Sequence, residues 1–171
     1  FAPVALDYLR RLVQLDALSD TQLANELATH TLESAAPAPS VETILHACLP
    51  YQFVDHTHAD AVLAIANAPE GERRMREIYG DTVVIVPYVM PGFDLARACA
   101  REHARQVCAN TIGVLLMNHG VISFGDSARQ SYERMLELVR RAEEYLKAQQ
   151  AWDIAVSGIR PVRFEMLQQA Q

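Results

Sequence analysis

Lysine is almost missing from this sequence of 171 residues: Lys147 is the only one, and arginine carries nearly all the positive charge. Acidic residues are in excess, leaving a formal net charge of −6. That argues against non-specific nucleic-acid binding, which needs a basic face to displace counterions. Arginine suits bidentate contacts to phosphate or carboxylate, but these arginines read by default as scattered surface residues. Long apolar runs are missing too; none approaches the roughly 20 residues needed to cross a bilayer. The opening Phe1-Ala2-Pro3-Val4 has neither a basic region nor an initiator methionine, so it is not a signal peptide. It looks like part of a chain whose N-terminus lies upstream. Cysteine is sparse: Cys48, Cys99 and Cys108 are odd in number and show no CxxC spacing. Reduced thiols in a cytoplasmic protein fit better than a disulfide frame or a catalytic thiol. There is no internal repeat, no low-complexity tract and no glycine-rich dinucleotide loop near the C-terminus. What remains is ordinary globular composition, half hydrophobic and 21% charged, on a chain long enough for one core. We expect a single domain over 1–171, with 149–171 a weakly patterned extension or linker.

Leu6, Leu9, Val13 and Leu15 space one apolar face of a first helix. Ser19-Asp20-Thr21-Gln22 has the capping-box pattern that opens a second, reaching about His30. Pro37 and Pro39 break the chain, and Ser40 is the expected cap of a helix from Val41 to about Cys48. Gln52 to His58 reads as a short strand, residues 59–66 and 70–79 as helices, and Thr82 to Val86 as a buried β-branched strand. Gly92 opens a helix expected to run to about Ala109. Two further strands, 113–117 and 121–124, flank the turn residues Asn118-His119-Gly120. Ser127 caps a long helix, with Ala128, Tyr132, Met135, Leu136, Val139, Ala142 and Leu146 expected to form its core-facing stripe. Strands interleaved with helices predict an α/β layered domain around a sheet.

The chemistry concentrates in histidine. His56 and His58 alternate on one strand face, so their imidazoles aim at one point. His119 sits where a turn can present it past the sheet edge. Three imidazoles with one position open is the usual catalytic zinc arrangement, whereas structural sites are closed and cysteine-rich. Asp55 and Asn118 flank these residues as candidate outer partners. His30 and His103 read as surface or local packing. His46, one helical turn after Glu42, either borders the site or packs on the sheet. Glu42, taken alone, reads as a carboxylate in a first helical turn, a partner for the macrodipole.

Pro39-Ser40-Val41-Glu42, His56-Thr57-His58, Met90-Pro91-Gly92, Asn118-His119-Gly120 and Gly125-Asp126 occur in the order and spacing of the class II aldolase/adducin family. Roughly residues 4 to 148 resemble that family. The run Val54 to Leu63 looks most like one branch, the aldolase half of bifunctional rhamnulose-1-phosphate aldolase/short-chain dehydrogenase proteins. The resemblance implies that His56, His58 and His119 hold a divalent metal, zinc by preference, and that Glu42 is the catalytic acid/base. It implies a three-layer α/β/α sandwich on a mixed, mostly antiparallel sheet, and usually a homotetramer. It also implies a phosphate-binding segment preceding the matched region, so the N-terminal part of the domain is expected upstream of Phe1, and a fused dehydrogenase domain outside this chain.

The reaction so implied is cleavage of a ketose 1-phosphate to dihydroxyacetone phosphate and lactaldehyde through a metal-stabilised enediolate, with Glu42 moving the proton. The substrate partner would be a phosphorylated sugar; no nucleic acid or membrane is expected. Tyr88, just before Met90-Pro91-Gly92, is a candidate donor to the leaving aldehyde's oxygen, or else a half-buried strand-end tyrosine. Two other readings stand beside this one. The first is an epimerase, aldolase or decarboxylase of the same family acting on another substrate. The second is an adducin-like interaction module, against which the retained histidine trio and Glu42 speak.

Overall fold

A computed structural model describes residues 2–152. The chain order is α1 (Leu6–Leu12), α2 (Asp20–Thr29), α3 (Thr43–Cys48), β1 (Phe53–Thr57), α4 (Asp60–Ala66), α5 (Gly71–Tyr79), β2 (Val83–Val86), α6 (Phe93–Gln106), β3 (Gly113–Leu116), β4 (Gly120–Gly125) and α7 (Ala128–Ala148). The expected C-terminal extension lies, from residue 153 onward, outside the described residues. No helix among the described residues is long and apolar enough to cross a membrane.

Four strands form one sheet in the order β1-β4-β3-β2. The pairs β1–β4 and β3–β4 are antiparallel, while β2–β3 is parallel and is joined through α6. Alternation along the strands sends side chains to two separate apolar layers. Val84, Val86, Val114, Leu116, Ile122 and Phe124 face a layer built from α1, α2, α3 and α6. Val83, Ile85, Leu115, Met117 and Val121 face a second layer, from α4, α5 and α7. Both faces are therefore covered, and the sandwich is three layers thick, as expected.

Some local expectations hold through their chemistry. Ser19 and Gln22 complete the reciprocal capping box at the start of α2, and the Ser127 hydroxyl accepts the Gln130 N–H at the start of α7. Others require correction. Ser40 does not cap α3: the cap position belongs to Glu42, and the Ser40 hydroxyl accepts the Glu42 N–H within the preceding turn. Helix α6 stops at Gln106, short of Ala109, where Val107 leaves the helical conformation (φ −58°, ψ 136°) and the Gln106 amide turns onto the sheet edge. It donates to the Ile85 carbonyl at 3.0 Å and accepts the Ile85 N–H at 3.2 Å, so it satisfies backbone groups on edge strand β2.

On α7 the buried stripe is Ser131, Met135, Leu138 and Ala142. Tyr132 and Leu136 are exposed, and Ala128 is as well. Ser131 lies inside because its carbonyl accepts the buried Ser123 hydroxyl at 2.8 Å, a rotation of the helix that apolar spacing alone does not reveal. His103 is buried too; its Nε2 lies 2.9 Å from the Tyr51 hydroxyl, which decides for packing over surface.

Candidate metal centre

Register builds the site. His56 lies opposite Ile122 and Thr57 opposite Val121, the last pair before β1 ends. His56 thus shares a strand face with Val54, on the side covered by α3, and His58 is the first side chain on that face beyond the sheet. On the neighbouring hairpin, Leu116 pairs with Gly120, so residues 117–119 form the turn beside the end of β1. Asn118 takes φ 58°, a left-handed conformation that asparagine tolerates better than most residues. Its amide donates to the Asn67 side chain at 2.9 Å, tying the turn to the end of α4. Between Asn118 and Gly120, the His119 ring comes over the other two.

The three rings form a triangle of edge contacts, with centroids 4.8, 5.1 and 4.8 Å apart. Glu42, at the head of α3, closes it from above. Its Oε1 lies 2.8 Å from His119 Nε2, 3.8 Å from His56 Nε2 and 3.9 Å from His58 Nε2. The four donor atoms lie within 4.8 Å of one another. The cluster is closed on one side and open on the other: the His56 and His119 side chains are 7% and 5% exposed, His58 55%.

This donor set fits a divalent ion. Ligands about 2.0–2.1 Å from a tetrahedral centre stand roughly 3.4 Å apart, and the closest contacts here straddle that spacing. His56 Nδ1 lies 3.1 Å from the Val121 carbonyl. Donating there fixes the tautomer and leaves the Nε2 lone pair facing the cluster. Burial pushes the His56 pKa down to about 4 against the pull of the Glu42 carboxylate, so the ring is neutral near pH 7, the form a metal requires. His119 Nδ1 is buried without a hydrogen-bond partner.

The structure thus gathers His56, His58, His119 and Glu42. Tyr88 hydrogen-bonds none of them: it is 54% exposed, with its hydroxyl 3.8 Å from Met90 Sδ. Asp55 is exposed on the opposite face of β1. Two contributors escaped the sequence reading. Val121 acts through a backbone carbonyl, which side-chain identity does not signal. Gly120 leaves clearance for the site: a Cβ there would stand 2.9 Å from His58 Cδ2 and 3.0 Å from His56 Cε1. The Asn118-His119-Gly120 turn is legible; that its glycine spaces the His56 and His58 rings is not.

Comparison with known proteins bears on this centre. The Class II Aldolase and Adducin N-terminal domain matches residues 10–146. Over 146 residues the chain is 37% identical to a Bacillus subtilis (strain 168) protein named "Uncharacterized oxidoreductase YuxG", covering 85% of this chain but only 21% of that protein. The N-terminal class II aldolase domain of a conserved Thermoplasma acidophilum protein superposes with a TM-score of 0.75 at 35% identity, over 84% of this chain and 65% of that one. An aldolase II superfamily protein from Pseudomonas syringae shares the fold, with a TM-score of 0.57 at 18% identity, over 74% of this chain and 53% of that one.

Proposed function

This chain belongs to the class II aldolase and adducin family, and from that premise we propose that it is a metal-dependent carbon–carbon lyase. Its substrate in this reading is a ketose 1-phosphate of the rhamnulose 1-phosphate kind, split to dihydroxyacetone phosphate and lactaldehyde. One observation carries the reading: three imidazoles and a carboxylate from three separate segments meet with all donor atoms within 4.8 Å.

His56, His58 and His119 would hold the ion, zinc being suited to such a nitrogen-rich set. When bound, it supplies positive charge that polarises a substrate carbonyl and steadies the negative charge left as the carbon–carbon bond breaks. The rest falls to the chain. Glu42, beside the trio and reachable from solvent, moves the proton at the carbon that becomes nucleophilic, a step typically worth about 10²–10⁴-fold in rate. The Val121 carbonyl keeps the His56 ring turned inward. For the proton taken up by the leaving aldehyde's oxygen, Tyr88 is the candidate by its place just ahead of the Met90-Pro91-Gly92 turn.

The chain spans about a fifth of the Bacillus subtilis relative's length and about two thirds of the Thermoplasma protein's. In this reading the segment is one part of a longer protein, and the proposal extends to a homotetramer in the cytoplasm, with phosphate-binding residues upstream and a fused dehydrogenase outside this segment. The name of the Bacillus subtilis protein, an oxidoreductase, supports that last point.

The test is metal content by elemental analysis, then incubation of the metal-loaded protein, with the upstream segment restored, with a panel of ketose 1-phosphates. Stoichiometric zinc and aldehyde release from rhamnulose 1-phosphate are expected. Interconversion of epimers without aldehyde release transfers the site to an epimerase. Absence of metal leaves a non-catalytic module.

A further inference from the structure

His46 stands one helical turn past Glu42 on α3, its backbone N–H closing on the Glu42 carbonyl at 3.2 Å. Its ring is edge-on to His56, with centroids 6.3 Å apart and planes at 78°. The other half-buried or buried histidines near the sheet each have one ring nitrogen engaged: His56 Nδ1 with Val121, His119 Nε2 with Glu42, His103 Nε2 with Tyr51. The His46 ring bonds no described residue. It lines two adjoining clefts, one of about 500 Å³ shared with Pro39, Ser40 and Glu42, the other of about 270 Å³ shared with Tyr51 and Gln52. Ala2, Thr43 and Val54 line both. The imidazole therefore stands at the divide of one trough that begins at the Glu42 carboxylate.

The His46 ring nitrogens reach solvent in these clefts and are open to a ligand. Neutral imidazole offers one donor and one acceptor, a match for a hydroxyl, which also does both. Clefts of this size take small molecules rather than macromolecular segments. We propose that His46 is a substrate-orienting residue, hydrogen-bonding a hydroxyl on the carbon chain beyond the end that meets the three histidines. The ligand class is a polyhydroxylated chain with a metal-chelating head. This rests on the metal-dependent reading of the site. The competing role, in which the ring merely steadies His56 by packing, affects every ligand alike.

That difference is measurable by calorimetric titration of the zinc-loaded chain with two hydroxamates. Acetohydroxamate is a chelating head alone; threonohydroxamate carries the same head on a trihydroxylated chain. Wild type should prefer the hydroxylated probe roughly tenfold, the scale of one good hydrogen bond. His46→Ala should keep its metal content and its acetohydroxamate affinity yet lose most of that preference, and His46→Gln should restore part of it. An unchanged preference in His46→Ala, no preference in wild type, or equal weakening of both probes overturns the proposal. A wild-type chain that takes up metal but neither probe also overturns it, while one that takes up no metal overturns the site reading itself.

Discussion

The layer of α1, α2, α3 and α6 and the layer of α4, α5 and α7 cover the same sheet but are held in different ways. In the second, the 21-residue α7 spans the sheet, with Met135, Leu138 and Ala142 inside and Arg–Glu pairs along its solvent side. Inside it the buried Tyr79 hydroxyl donates to the Leu138 carbonyl at 2.7 Å. The first layer is made of shorter pieces. Helix α3 has six residues and is preceded by a proline-containing loop. It carries Glu42 and His46 over polar groups on or beside the sheet. One layer is built as apolar cover, and the other combines cover with a site whose imidazoles and carboxylate must face each other. Such sites are often assembled from short connections on a rigid support.

The largest effect that would break this comparison falls on the first layer. His58→Ala, at an exposed ring, should abolish stoichiometric metal with little change in unfolding; a full equivalent of zinc retained by elemental analysis removes His58 from the ligand set. Glu42→Gln should keep the metal and slow proton exchange at the substrate carbon by about 10²–10⁴-fold; unchanged exchange removes Glu42 from the mechanism. On the second layer the response should be reversed. Leu138→Ala should destabilise by about 2–5 kcal/mol in urea unfolding while metal content stays whole.

Gly120→Ala tests the joint between the layers and the site. Its Cβ would meet the Thr57 carbonyl at 2.6 Å as well as both rings. Backbone there cannot give easily, so a loss of about 1–3 kcal/mol should come together with weaker zinc binding in a competition titration. Stability loss with unaltered zinc affinity would show that the rings do not depend on that clearance.

The smallest effect concerns acid. Burial lowers the His103 pKa below its ordinary value, so the folded chain keeps this ring neutral after the unfolded chain has begun to protonate its own near pH 6.5. Its contribution is therefore fully present above about pH 6.5 and shrinks as pH falls from there toward the lowered folded pKa. His103→Leu should flatten the stability curve between about pH 7 and 5.5; a variant as acid-sensitive as wild type removes His103 from that window.

Particular residues show how far the sequence reaches. The His56-Thr57-His58 alternation was legible because a strand has period two, and the His119 turn because Asn-His-Gly carries turn chemistry. The role proposed for Glu42 comes from the motif resemblance, since a lone carboxylate in a first turn reads as a dipole partner. Tyr132 and Leu136 mislead because their spacing is as helical as that of Leu138; the packing of Met135, Leu138 and Ala142 on the sheet, with Ser131 bonded to Ser123, shows which side of α7 turns inward.

By itself, then, the sequence determined the elements, the alternation that gives the sheet two apolar faces, and the identity of the metal-capable trio. These are local consequences of backbone period and side-chain type. Tertiary structure decided that the Glu42 carboxylate reaches His119, that Val121 orients His56, and that His46 is left without a partner in the trough. Those facts depend on strand register and on how α3 sits over the sheet, relations between segments as far apart in the chain as residues 42 and 119 that no local pattern encodes.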